Sequence, residues 1–235
     1  MLTDDDLVTW HVQLEEALSR FADSDLRPPT ARIAEPAVHE AAAAHLLRPS
    51  KRRLGMAFLQ VAHVLDCDQP TGDLVRISTA LEIRHAAILL HPDISNGDFR
   101  RSGHATAHQV VHSVSATEEA GSTALFASEI LAGLAPLPIL RSGLPAAVRS
   151  RLCQVFQDTT APAAVSRAEK LHLEPCQDAV EITDGGLRAR CLLCCIQLAG
   201  TLAQLDALAL TRVCEAGVLH IGRVAVELPQ RNLPS

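Results

Sequence analysis

The chain has 235 residues, of which 48% are hydrophobic and 3% aromatic, and it contains no tyrosine. This composition excludes an intrinsically disordered protein, and apolar content drawn from Ala, Leu, Val and Ile favours helices packed on helices. The net charge is −6, with 27 acidic and 21 basic residues, which argues against a general nucleic-acid binder because such proteins need clustered Lys and Arg. We expect a single all-α domain over residues 1–235.

The N-terminus and the cysteines indicate a cytoplasmic protein. The opening stretch MLTDDDLVTW is acidic, unlike a secretory signal or an Arg-rich transit peptide. No uninterrupted apolar run reaches the ~18 residues that a membrane span needs, so we expect none. The seven cysteines are an odd number without a secretory signal, and we expect reduced thiols.

Apolar residues recur at helical spacing along most of the chain. Thr3 and Asp6 predict the N-terminal cap of a first helix. The helix predicted at 73–91 is apolar on most sides, which is typical of a central element. Further helices are predicted at about 35–47, 54–66, 108–116, 118–134, 147–157, 187–209 and 211–228. No run has the alternation of a strand.

The stretch HPDISNGDFRRSGHATAH, residues 91–108, follows this central helix directly. In it, Asp93 and Asp98 precede Arg100, Arg101 and further histidines. This order is typical of a loop that handles phosphate, and the carboxylates raise the question of a metal-diphosphate site.

Several motifs in the same order resemble the trans-isoprenyl diphosphate synthases, all-α enzymes that join isopentenyl diphosphate to an allylic diphosphate. SKRR, with Lys51 and Arg52, stands where that family has a Gly-Lys-Arg segment that binds isopentenyl diphosphate. TALEIRHAAILLH places His85 where the family has an assisting histidine on its central helix. Arg101 matches the first arginine of a family Arg-Arg pair. The resemblance therefore implies that Lys51, Arg52, His85 and Arg101 are remnants of a diphosphate-binding site.

The resemblance extends over most of the chain. Gly103, Thr106 and His108 match the family's Gly-x-Pro-Thr-x-His segment without a gap. GSTALF resembles its Gly-Asp-Ala-Leu-Leu segment, and GLRARCLLCC resembles its Lys-Thr-Ala-x-Leu helix. The implied fold is an isoprenoid-synthase-like helical bundle.

The first aspartate-rich motif departs from the family pattern Asp-Asp-x-x-Asp. Pro92 and Asn96 replace the first and last aspartates, which leaves Asp93, while Asp98 lies outside the register. Magnesium binds hard anionic oxygens, so one carboxylate and a neutral amide would hold it poorly. We expect no metal site in this chain, with Asp93 and Asp98 as doubtful ligands.

The late part of the chain departs as well. In IGRVAVELPQRN, Pro229 and Gln230 stand where the second aspartate-rich motif belongs, and Ser102 replaces the second arginine of the Arg-Arg pair. The chain then stops at Ser235. By comparison with the family, we expect a bundle that is truncated at its C-terminus.

Cys191, Cys194 and Cys195 lie on one apolar face of the helix predicted at 187–209. This spacing favours core packing over zinc binding. The resemblance offers an alternative, since the non-catalytic small subunits of plant heteromeric geranyl diphosphate synthases carry Cys-x-x-x-Cys motifs used in subunit contact. It implies that Cys191 and Cys195 contact a partner.

Each remaining motif also has a purely structural interpretation. Pro92 removes a backbone donor and Asn96-Gly97 is a strong turn signal, so the stretch could simply end a helix. Lys51 and Arg52 could belong to a solvated helix start. A histidine such as His85 on an apolar helix is usually satisfied within the core.

The resemblance and its departures together imply a non-catalytic subunit of a heteromeric prenyl diphosphate synthase. This chain would bind no cofactor itself, and a homologous catalytic partner would bring both aspartate-rich motifs and Mg²⁺. The chain would stabilise that partner and influence product chain length. One alternative is a diverged stand-alone prenyltransferase or terpene cyclase with a site rebuilt around Asp93, Asp98 and Arg101. Another is a helical scaffold without a ligand.

Overall fold

The computed structural model describes residues 2–27, 36–101, 103–115, 120–158 and 184–215, without the side chains at positions 92, 95, 101, 114, 115 and 184–190. Helices make up nearly all of these residues, and a short hairpin is their only strand pair. The expected all-α fold is confirmed.

The helices follow one another with short connections. In chain order they are α1 (Asp4–Phe21), α2 (Pro36–Leu46), α3 (Arg53–Val64), α4 (Thr71–Ser95), α5 (Ala107–Ser115), α6 (Ala120–Leu134), α7 (Leu137–Leu140), α8 (146–158), α9 (Asp184–Leu202) and α10 (207–215). A π-helical turn, Ala22–Leu26, continues α1. Strands β1 (Arg100–Arg101) and β2 (His104–Ala105) form the hairpin between α4 and α5. The predicted bounds of α2, α3, α5, α6 and α8 are right to within two residues.

The first helix begins at the cap that the sequence predicts. The Thr3 hydroxyl accepts the Asp6 amide at 3.2 Å, and the Asp6 carboxylate accepts the Thr3 amide at 2.9 Å. These reciprocal bonds satisfy two donors that a helix start leaves without intrahelical partners. The helix then buries Leu14, Leu18 and Phe21.

The central position predicted for the long apolar helix is confirmed for α4. Ile77, Leu81, Ile83 and Leu90 are completely buried, and the helix packs against α1, α3, α6 and α7. A helix that is apolar on most sides reaches this degree of burial only with neighbours around it. The core of the bundle therefore forms around α4.

The end of α4 differs from the expected stop at His91. The helix continues through Pro92 to Ser95, because a missing donor in the last turn removes only one bond near the end. Gly97 follows the end of the helix with a left-handed φ of +65°, and its amide bonds the Ile94 carbonyl at 3.1 Å. The Asp98 amide bonds the Asp93 carbonyl at 2.9 Å, which completes a Schellman motif. The Asn96-Gly97 turn signal is thus confirmed.

The continuous helix expected at 187–209 is wrong. Helix α9 ends at Leu202, where Gln204 takes a left-handed φ of +55° and the Leu205 amide bonds the Gly200 carbonyl at 3.0 Å. Asp206 then caps α10, since its carboxylate accepts the Ala209 amide at 2.8 Å. The predicted helix at 211–228 accordingly begins earlier, and its residues beyond 215 lie outside the described part.

One described segment, Ala120–Leu140, is long and apolar enough to cross a membrane, contrary to the expectation from uninterrupted runs. It comprises α6 and α7. Helix α6 buries Ala124, Ala127 and Leu131 and packs against α4 and α2. An apolar helix in a protein core has the same composition, and one face of α6 is part of the core.

Candidate functional site at the end of the central helix

The aspartate that survives from the first aspartate-rich motif lies beside an arginine. Asp93 is completely buried, and its Oδ2 atom lies 3.6 Å from Nη2 of Arg48, whose side chain is 12% exposed. The same Nη2 atom is 3.3 Å from Nε2 of His45, which also lies 3.0 Å from the Ala86 carbonyl. Burying a carboxylate is costly unless a cation accompanies it, and Arg48 supplies that cation.

This arrangement does not suit a magnesium ion. Magnesium requires anionic oxygens in near-octahedral geometry and keeps several waters. Asp93 is enclosed and faces a guanidinium, so a second cation beside it would meet the charge of Arg48. Among the described residues, no group of three His, Cys, Asp or Glu side chains could hold a metal. The stretch 221–232, which contains Pro229 and Gln230, lies outside the described residues.

The loop after α4 is closed by Thr106. Its hydroxyl donates to the Asp98 carbonyl at 2.7 Å, and its amide donates to the Phe99 carbonyl at 3.2 Å. Thr106 is completely buried, and the ring of His108 lies 6.2 Å from that of Phe99. Thr106 and His108, which both match the family pattern, thus connect the end of the hairpin to the residues that precede it.

The hairpin carries basic residues on its surface. Arg100 is exposed and its Nη1 atom donates to the Gly103 carbonyl at 3.3 Å. Gly103 has a φ of +82°, which explains why a glycine stands at this turn. His104 is exposed as well. Arg101 lies in β1, and its side chain, like the whole of Ser102, lies outside the description.

The SKRR segment divides into an internal arginine and two exposed cations. Arg52 is 5% exposed and donates to both carboxylate oxygens of Glu15, at 2.7 and 2.9 Å, and to the carbonyls of Leu46 and Arg48. Lys51 and Arg53 are exposed. The guanidinium of Arg52 is therefore occupied within the chain, which corrects its assignment as a diphosphate-binding remnant. Lys51 keeps the exposure that this role requires.

His85 lies half-buried on α4, beside a charged neighbour that the sequence reasoning passed over. The guanidinium of Arg84 lies 5.3 Å from the centre of the Phe156 ring and donates to the Gln157 side chain. Burial lowers the pKa of Arg84. The signal in the sequence that could have identified Arg84 is a charged residue among the apolar residues in the middle of α4.

A second feature that sequence reasoning missed is the contact between α4 and the start of α3. Glu82 is 4% exposed and its carboxylate accepts the Gly55 amide at 2.8 Å, while Ser78 donates to the Gly55 carbonyl at 3.2 Å. A carboxylate suits a helix N-terminus, because the first amides there have no intrahelical partner. This contact fixes the basic segment relative to the central helix.

The cysteines on α9 differ in their exposure to solvent. Cys195 is completely buried, and its thiol lies 3.5 Å from the Leu54 carbonyl on α3. The subunit contact expected of Cys195 is therefore wrong, because its side chain is enclosed by the chain's own helices. Cys191 is partly exposed, and burial raises its pKa to about 11. Core packing, the structural interpretation, describes Cys194 and Cys195.

Solved structures share this fold. A geranyltransferase from Legionella pneumophila is 21% identical over 93% of this chain and 75% of its own, with a TM-score of 0.70. An apo FPP/GFPP synthase from Zymomonas mobilis is 17% identical, covering 95% and 82%, with a TM-score of 0.69. A geranyltranstransferase from Thermotoga maritima is 19% identical, covering 90% and 73%, with a TM-score of 0.66. No family model and no curated protein matches the sequence.

These similarities define the architecture. The chain has the helical fold of trans-isoprenyl diphosphate synthases, as the order of its motifs predicts. At these identities the similarity concerns the fold, so any function has to be argued from the side chains at the end of α4.

Proposed function

We propose that this chain is a non-catalytic subunit of a heteromeric prenyl diphosphate synthase. The observation that carries the proposal is the position of Asp93, which is buried against Arg48 at the end of α4. A fold shared with synthases, combined with an internal cation beside the surviving carboxylate, supports a structural role. A homologous catalytic partner would supply both aspartate-rich motifs and Mg²⁺, and the pair would act in the cytoplasm.

Pairing needs a surface that the chain leaves exposed. The apolar helix α4 is used by the chain's own core, so it offers little to a partner. Helix α6 instead exposes two large apolar side chains, Leu125 at 39% and Phe126 at 62%. Burying such residues removes apolar area from water, which is a main source of affinity at subunit interfaces. We propose this α6 face as the contact with the catalytic partner.

The partner's elongation cavity would be influenced through that contact. A rigid helix pressed against a neighbouring subunit restricts how far the neighbour's helices can move, because packed cores resist deformation. The proposal is therefore that this chain stabilises the partner and biases product length without contacting the reacting groups.

The first experiment separates this role from independent catalysis. The purified chain is mixed with isopentenyl and allylic diphosphates and Mg²⁺, alone and together with an intact synthase homologue. We expect no turnover by the chain alone, and a changed product-length distribution in the mixture. Turnover by the isolated chain would instead establish the stand-alone enzyme.

The second experiment tests the pairing face. Leu125→Ser combined with Phe126→Ser is expected to abolish co-elution with the catalytic homologue in size-exclusion chromatography. Val64→Ser is the matched control, since Val64 is 76% exposed at the end of α3. Unchanged co-elution of the α6 variant would refute the proposed face, and loss of co-elution in both variants would show a nonspecific effect.

A further inference from the structure

A groove lies on the far side of the bundle from Asp93. It is bounded by the last turns of α1, the π-helical turn, the first half of α4 and α7, and its volume is about 400 Å³. Arg76 in this groove and Asp93 are 17 positions apart on α4, which corresponds to roughly 25 Å along the helix axis. The groove is therefore separate from Asp93 and from the basic loop that follows α4.

The groove is lined by charged and by apolar side chains. Its charged lining, which we call the rim, consists of three guanidinium groups, those of Arg20, Arg76 and Arg141, and the carboxylates of Glu16 and Asp25. Phe21, which is 5% exposed, and Val75, which is 6% exposed, belong to its apolar lining. A cavity of this size that combines apolar side chains with a few charged groups has the properties of a small-molecule site.

Two of the three arginines contact a carboxylate through one nitrogen each. Arg20 pairs with Glu16 at 3.5 Å and Arg76 pairs with Asp73 at 3.3 Å. The Arg20 side chain is 70% exposed and its pair is an exposed one, which contributes ~0–1 kcal/mol. The Arg76 side chain is 51% exposed, although its partner Asp73 is buried and also accepts the Gly143 amide at 2.8 Å. An anionic group between the two arginines would bind guanidinium nitrogens that these contacts do not use.

The third arginine is fixed. Arg141 contacts both carboxylate oxygens of Asp25, with Nη1 to Oδ2 and Nη2 to Oδ1 each at 2.8 Å. Asp25 and Ser24, which lie in the π-helical turn Ala22–Leu26, both line the groove. π-Helical turns are rare and occur frequently at functional sites, and this one lies beside the arginine rim. The turn is thus a second observation that marks the groove.

We infer that this groove binds an amphiphilic organic anion, with a phosphate or carboxylate held by Arg20 and Arg76 and an alkyl chain lying on Phe21 and Val75. The inference does not depend on the proposed subunit role. Both parts of the ligand contribute, because Phe21 and Val75 offer no charge to the head group and the guanidinium groups bind the anion rather than the alkyl chain.

The test is isothermal titration of the full chain with four probes: octyl phosphate, octanoate, 1-octanol and inorganic phosphate, all below micelle-forming concentrations. We expect one of the two octyl anions to bind at least tenfold more tightly than both 1-octanol and inorganic phosphate. The stronger of the two octyl anions identifies the head group. If neither octyl anion binds more tightly than 1-octanol and inorganic phosphate, the inference is overturned.

Variants locate the binding. Arg20→Gln combined with Arg76→Gln should lower the affinity at least tenfold, whereas Arg151→Gln on the exposed face of α8 should not. Gly72→Phe tests the groove without removing a charge, since Gly72 lines the groove and no atom lies within 4 Å of a Cβ atom built there, which leaves room for a ring. Binding that survives both groove variants, or that is lost with Arg151→Gln, would place the ligand elsewhere and refute the inference.

Discussion

Arg48 and Asp93 form a buried ion pair, 3.6 Å apart, at the point where the sequence resembles a magnesium-binding motif. The guanidinium provides the positive charge that this carboxylate needs inside the bundle. Removing one member of a buried pair leaves the other charge without compensation, which costs about 3–5 kcal/mol. The pair therefore makes the carboxylate that resembles a metal ligand part of what stabilises the fold.

Arg48→Met should therefore destabilise the chain strongly. We expect the free energy of unfolding to fall by about 3–5 kcal/mol, because the buried carboxylate of Asp93 would lose the guanidinium of Arg48. Urea denaturation followed by circular dichroism measures this change. Arg48→Met combined with Asp93→Leu should recover most of the loss, since it removes both charges. The control Arg20→Met breaks an exposed pair and should cost ~1 kcal/mol or less.

Two outcomes would contradict this interpretation. If the double variant is no more stable than Arg48→Met, the charge of Asp93 is not the cause of the loss. If 10 mM Mg²⁺ raises the melting temperature of the native chain but not that of Asp93→Asn, the carboxylate is a metal ligand after all.

Gly55 marks the tightest approach between the start of α3 and its neighbours. A Cβ atom there would lie 2.7 Å from Cδ2 of Leu14, 3.2 Å from Cγ of Glu82 and 3.3 Å from the Ser78 carbonyl. Gly55→Ala should cost ~1–3 kcal/mol, because the backbone and the buried carboxylate cannot both yield. The matched control is Gly133→Ala on α6, where no atom lies within 4 Å. It should be neutral or stabilising by up to ~1 kcal/mol in the same denaturation experiment. Equal losses in both variants would show that crowding is not the cause.

Periodicity and caps predicted much of this fold. The spacing of apolar residues located α4 as the central helix, and Thr3 with Asp6 located the start of α1. Such signals are local, so they can be read along the chain. The break before α10 was missed, because it depends on Gln204 taking a left-handed conformation that its residue type does not announce.

The candidate site was less predictable, since burial depends on distant contacts. Arg52 and Lys51 are neighbours with the same charge, yet Arg52 is enclosed by Glu15 from α1 while Lys51 is exposed. Asp93 meets Arg48, which lies just beyond α2 and 45 positions earlier in the chain. No spacing rule relates these residues, and only the packing of the helices brings them together.

Lys51 is exposed and Arg52 is buried, so substitutions at these two positions should have different effects, one on ligand binding and one on stability. We propose that the exposed Lys51 retains the diphosphate contact that the family resemblance implies. Lys51→Gln should then leave stability unchanged and weaken the binding of inorganic pyrophosphate by roughly tenfold, the equivalent of about 1.4 kcal/mol for one charge-assisted hydrogen bond. Arg52→Gln should lower the free energy of unfolding by roughly 2–3 kcal/mol, since it removes the paired contact with Glu15. Its pyrophosphate affinity should stay within twofold. Titration calorimetry and urea denaturation on both variants measure the two effects, and exchanged phenotypes would show that Arg52 faces the ligand.

Cysteine ionisation should control stability at alkaline pH. Burial raises the pKa of the Cys67 and Cys191 thiols from 9.0 to about 11, and it raises that of Cys195 as well. Because the unfolded chain loses these protons first, the stabilisation is complete below pH 9 and declines between pH 9 and 11. Burial also raises the pKa of Cys153 and of Cys214, so these thiols contribute in the same direction. Thiols dominate this window, since the chain has no tyrosine and its lysines are Lys51 and Lys170 only.

The free energy of unfolding should therefore fall from pH 8.5 to pH 10.5, as measured by urea denaturation at several pH values. Cys191→Ala and Cys67→Ala should each reduce the slope of this fall, because each removes one thiol that the fold keeps protonated. Lys51→Gln is the control and should leave the slope unchanged. A slope that is the same in the native chain and in both cysteine variants would mean that the alkaline loss comes from another group. A stability that rises over this interval would contradict the direction of the pKa shifts themselves.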